Sequence, residues 1–210
     1  MKGALYGHSF VFGFAEHLRG LAKSRPRLSP SKNAAQLRIN DVVQSMDLIG
    51  ERGLRVLQPG YETPLLRIWA TALDFVILDI GTNRILNGKP PKEICEKLPK
   101  MAETIMLQPS VKLIVICSIL KRKSTRHADS SFEENIRELN SLLKIKCKNE
   151  ANIKFHTHTG FTRPIETWSF DGTHSNRPLG RKLYTRSIRF AAFKTATTIK
   201  NKNKNHSQEN

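Results

Sequence analysis

The run from Val111 to Ile119 constrains this chain more than any other stretch. It is almost continuously apolar, broken early by Lys112. A strand that is apolar on both faces has to be covered on both, as in the centre of a parallel sheet sandwiched by helices. Asp74 to Ile80 repeats the pattern and ends in the turn Gly81-Thr82-Asn83. Gly3 to Tyr6, Val42 to Ile49 and Ile153 to His158 complete five expected strands.

Helical patterns separate them. Phe10 to Lys23 aligns Phe10, Phe14 and Leu18 at the cost of Gly13, and Leu65 to Leu73 leads into the third strand. Pro90 to Leu107 aligns Ile94, Leu98, Met101 and Ile105, with Pro99 expected to kink or split it. Ser131 to Lys148 starts at capping-box spacing, Ser131 with Glu134, and aligns Ile136, Leu139, Leu142 and Leu143. Arg177 to about Ile199 is the closing helix, with Leu179, Leu183 and Phe190 expected inward. Ser24 to Lys32 and Lys121 to Arg126 read as basic loops. The alternation predicts an α/β three-layer sandwich around a five-stranded, mostly parallel sheet. One domain is expected over residues 1–199, with a disordered polar tail over 200–210.

The chain has 210 residues, 39% hydrophobic, enough for one sizeable core. Its net charge of +17 favours contact with anions, nucleic acid among them, and the segment Arg177 to Lys204 contains no acid. Cys95, Cys117 and Cys147 are odd in number and lack C-x-x-C spacing, which argues for a reducing, cytoplasmic compartment over a disulfide framework. Lys2 and the apolar residues after it superficially suggest a signal peptide. His8 interrupts that run and no clear small-residue cleavage pattern follows, so it is assigned to the first strand and turn. No stretch is apolar for long enough to span a membrane as a helix.

The chemistry-bearing residues sit at the ends of these elements. Asp171-Gly172-Thr173-His174 can bring a carboxylate to one imidazole nitrogen and leave the other facing a pocket, two members of a hydrolytic triad. A nucleophile is available in Gly7-His8-Ser9, just after the first strand, where parallel sheets present reactive groups. Asn83 follows the third strand and is expected to face the same crevice. No G-x-S-x-G elbow occurs. With Gly50 and Gly53 after the second strand, this order of serine, glycine, asparagine and histidine resembles the SGNH (GDSL-type) hydrolases over nearly the whole chain.

The resemblance implies a flavodoxin-like SGNH fold and a serine esterase working through an acyl-enzyme, without cofactor or metal. It makes Ser9 the nucleophile, His174 the base and Asp171 its orienting carboxylate. The oxyanion donors would be the backbone N–H groups of Ser9 and Gly53 and the Asn83 amide, with Gly50 competing for Gly53's role. The substrate would be an ester of a lipid, a glycan or another small molecule. Two positions depart from the family pattern. His8 stands where the family usually has Asp, and Arg84 where it often has Asp.

Two rival readings remain open at this level. His156 and His158 share one face of a strand and, with His174, have ligand chemistry for zinc. Alternatively, an impaired SGNH-fold module would bind nucleic acid through its basic surface, although the basic residues of the C-terminal region are not regularly interleaved with aromatics.

Overall fold

The computed structural model describes residues 1–22, 28–56, 62–85, 88–120, 130–161 and 179–206. The elements run β1 (Lys2–Gly7), α1 (Ser9–Leu21), α2 (Pro30–Gln36), β2 (Ser45–Gly50), α3 (Glu62–Trp69), β3 (Phe75–Asp79) and α4 (Thr82–Ile85). They continue as α5 (Pro91–Met106), β4 (Leu113–Cys117), α6 (Ser130–Lys148), β5 (Ile153–His156) and α7 (Leu179–His206). All strand pairs are parallel, in the order β2-β1-β3-β4-β5.

The apolar runs behave as their two-sided pattern demands. Register aligns Leu5 with Ile77 and Ile77 with Val115 across the central strands. Successive residues of one strand feed opposite layers. Val76, Leu78, Ile114 and Ile116 pack under α3, α5 and α6, whereas Phe75, Ile77, Leu113 and Val115 pack under α1, α2 and α7. Each such Leu or Ile contributes about 1.5–3 kcal/mol on full burial, so slipping one strand by a residue would move all of its core side chains to the opposite layer.

Several helical details differ from the sequence expectations. Helix α5 is a single element through buried Pro99, so the helix is not split there. Proline there removes one backbone bond, while the burial of Ile94, Leu98, Met101 and Ile105 holds both halves on the sheet. Helix α2 occupies a stretch with no helical periodicity. It is set instead by the Ser29 cap, whose hydroxyl accepts from Lys32 N, and by Pro30 in the first turn. Helix α6 begins at Ser130, so Ser131 lies within the helix and is not its cap.

Helix α7 continues past Ile199 to His206, into the stretch expected to be disordered. Its inward residues are Tyr184, Ile188, Ala191, Ala192, Ala196 and Ile199. Leu179 and Phe190, expected inward, are exposed. The alanines let the helix lie close to β3 and β4, so its bulky phenylalanine is turned away from the sheet. Cys95, Cys117 and Cys147 are buried and unpaired. Among the described residues no helix is long and apolar enough to cross a membrane.

Candidate active site

In a sheet of order 2-1-3-4-5 the chain leaves β1 in opposite directions, and the carboxyl ends of β1 and β3 form a crevice where ligands characteristically bind. Ser9 is the first residue of α1 at this point, and it is partly exposed. Its backbone N–H lies at the positive end of a 13-residue helix. His8 caps that helix: its Nδ1 accepts from Phe10 N at 3.5 Å and lies 3.4 Å from Ser9 Oγ. Its Nε2 is 3.4 Å from Thr82 Oγ1. The imidazole therefore does the capping work open to an aspartate at this position, and it also bridges β1 to the turn after β3.

Asn83 lies in α4, and its amide nitrogen donates to the Leu54 carbonyl at 3.0 Å. That bond ties the turn after β3 to the loop after β2, beside Gly53. The two glycines of this loop answer different demands. A Cβ on Gly50 would lie 2.2 Å from Phe12 N, so this glycine lets β2 end directly against the first turn of α1. Gly53 is exposed with φ +75° and open space where a Cβ would stand, so its glycine serves the backbone turn. Arg84 lies in α4. Asp171 and His174 lie outside the described residues.

A second polar cluster lies beneath α7. Asp79, at the end of β3, is buried and accepts a short hydrogen bond from Tyr184 Oη. His158 Nε2 stands 3.8 Å from Asp79 Oδ2, within ion-pair range but too long for a hydrogen bond. Its Nδ1 is 2.9 Å from Ser187 Oγ, and His156 Nε2 is 2.8 Å from the same hydroxyl. His158 N donates to Ser118 Oγ. A carboxylate facing Nε2 favours the tautomer with its proton there. Ser187 then donates to His158 Nδ1 and accepts from the Nε2–H of His156.

Burial raises the pKa of Asp79, but the neighbouring His158, the charge of His8 and the Tyr184 hydroxyl outweigh it and hold the carboxyl below its usual value. Burial, and then the carboxylate beside it, push Tyr184 far upward. His156 is depressed to about 4 by burial first and by its electrostatic interaction with the neighbouring His158 second.

Because His156 takes up its proton at lower pH in the fold than in the unfolded chain, the unfolded state binds more protons between about pH 6.5 and about pH 4. Stability should therefore fall as pH drops through that window, moderated by the ring's partial exposure. Thermal melts across the window should show a shallower decline in His156→Gln. An unchanged decline would remove His156 as the source.

The zinc expectation meets a specific obstacle in this geometry. The two imidazole nitrogens that would share a metal converge on the Ser187 hydroxyl. No group of three or more metal-ligating side chains occurs among the described residues. Asp79, Tyr184, Ser187 and Thr82 were not singled out from sequence. The available signal was Asp79 itself, a lone carboxylate ending an otherwise apolar strand, which burial obliges to find partners.

No family model and no curated protein matches the chain. Solved structures do. An acetyl esterase, determined as a serine-to-alanine variant with acetate, aligns over 95% of this chain and 100% of its own at TM-score 0.65 and 14% identity. This is the SGNH-hydrolase fold. A GDSL-like lipase from Bacteroides thetaiotaomicron matches the SGNH-fold chain at TM-score 0.64 and 15% identity, covering 90% of this chain and 86% of the lipase. A carbohydrate esterase family 3 protein from Talaromyces cellulolyticus gives TM-score 0.63 at 16% identity, over 94% and 99% of the two chains. The fold class read from the sequence is thus the observed one, with a sheet that is wholly parallel.

Proposed function

We propose that this SGNH-fold chain is a serine esterase that cleaves small carboxylic esters through an acyl-enzyme. The observation that carries the reading is Ser9 at the N-terminus of α1, in the crevice between β1 and β3, with Asn83 anchored beside the Gly53 loop. Ser9 Oγ attacks the acyl carbonyl while His174 accepts its proton, and Asp171 orients and stabilises the resulting imidazolium. The oxyanion is held by the N–H of Ser9, the N–H of Gly53 and the Asn83 amide. His174 then protonates the departing alcohol, and water activated by the same imidazole releases the acid and restores Ser9.

Glycine at 50 is accounted for by packing against α1, which favours Gly53 as the donor in the loop. Acetyl esters are the first substrates to try, given that two structural neighbours are named as an acetyl esterase and an acetyl-xylooligosaccharide esterase. The test is a fluorophosphonate probe with peptide mapping. A covalent adduct on Ser9, with loss of p-nitrophenyl acetate hydrolysis in step with labelling, is expected. An adduct mapped to another serine, or hydrolysis that continues in fully labelled protein, would overturn the assignment.

A further inference from the structure

Away from the Ser9 crevice, an open groove of about 1120 Å³ runs along the edge strand β5, between α7 and the C-terminal part of α6. Neither Ser9, Gly53 nor Asn83 lines it. Its charged lining comprises Lys144, Lys148, Lys154, Arg186, Arg189 and Lys194, with no carboxylate among the described lining residues. None of these six cations forms an ion pair with a described carboxylate.

Of the three phenylalanines that line the groove, two are exposed beside these charges, while Phe155 is partly buried. Phe190 is 59% exposed and Phe193 is 49% exposed, three residues apart and thus neighbours on one side of α7. The His156 ring at the groove wall stands 6.3 Å from that of Phe190. Along the sequence these aromatics and cations show no regular interleaving. The helix brings Arg186, Arg189, Phe190, Phe193 and Lys194 into one groove, opposite the lysines of α6 and β5.

We propose that this groove binds single-stranded nucleic acid, with the phosphates on the lysines and arginines and bases stacked on Phe190 and Phe193. The combination of a cationic channel and exposed aromatic faces is what a flexible, base-bearing polyanion requires. A second copy of this chain is a poor occupant, since an isologous contact would set six cations against six. A bilayer surface does not follow a concave groove. An anionic glycan would use the charges but leave the phenylalanines without flat partners. The proposal does not depend on the esterase reading.

The test is fluorescence anisotropy with a labelled oligothymidylate, set beside an abasic strand of equal length and charge. The thymidylate should bind more tightly than the abasic strand, with affinity falling steeply as salt rises. Phe190→Ala/Phe193→Ala should weaken thymidylate binding at least about tenfold, leave the abasic strand almost unaffected and keep a normal unfolding transition. Arg186→Gln/Arg189→Gln/Lys194→Gln should weaken both strands and lower the logarithmic salt slope by about 0.7 for each phosphate that is no longer neutralised. Equal affinity for the two strands, wild-type binding by both variants, or preference for phosphatidylserine vesicles over the oligonucleotide would each overturn the proposal.

Discussion

Ser9→Ala is expected to lower kcat/KM for p-nitrophenyl acetate by a factor of about 10⁴–10⁶, because removing the nucleophile of a triad forfeits nearly all that the triad contributes as a unit. The residue is exposed enough to be replaced without opening a core cavity, so the unfolding midpoint should stay near wild type. Asn83→Ala should cost a smaller factor of about 10²–10³, the usual loss for one oxyanion donor. It should also loosen the Gly53 loop by removing the bond to Leu54 O. Steady-state kinetics on both variants distinguishes the roles. Activity retained in Ser9→Ala would dismiss the serine mechanism, whatever the fold.

Asp79→Ala should have the largest effect on stability, a loss of about 3–5 kcal/mol by urea denaturation. The carboxylate is buried between Tyr184 and His158. Its removal leaves the tyrosine hydroxyl without its acceptor and the imidazole without the group that selects its tautomer. Tyr184→Phe removes only one donor and should cost about 1–3 kcal/mol. The double variant should lose less than the sum, since the two residues share one interaction. Strict additivity would show that the Asp79–Tyr184 contact is not what stabilises this layer. The depressed pKa of Asp79 sets the sign of its pH dependence. Its contribution is present above the unfolded-state carboxyl pKa and is lost as pH falls through the lower folded value.

Much of the crevice could be read in advance because it is local in sequence. Ser9 follows directly on β1 and Asn83 on the turn after β3. The carboxyl ends of parallel strands meet at one edge of the sheet, so chain order alone brings such residues near one another. Why each of Gly50 and Gly53 is glycine was not legible, because both fit a turn and only the approach of α1 to β2 separates their backbone demands. The role of His8 was equally hidden. A histidine before Ser9 reads as a departure from the resembled pattern, whereas its ring caps α1 through Phe10 N and reaches Thr82, a neighbour 74 residues away.

What the sequence determined by itself was the architecture. Short runs apolar on every residue, alternating with amphipathic helices, can bury both strand faces only in a helix-covered parallel sheet, and that constraint is local and periodic. Only the tertiary structure decided which polar groups share a burial site and which surfaces stay open. Asp79 from β3, His158 from the loop after β5, and Tyr184 and Ser187 from α7 are brought together because their buried hydroxyls and carboxylate need partners that their own segments lack. The outward turn of Phe190 followed from the close approach of the alanine face of α7 to the sheet. Periodicity along one helix does not carry that packing information.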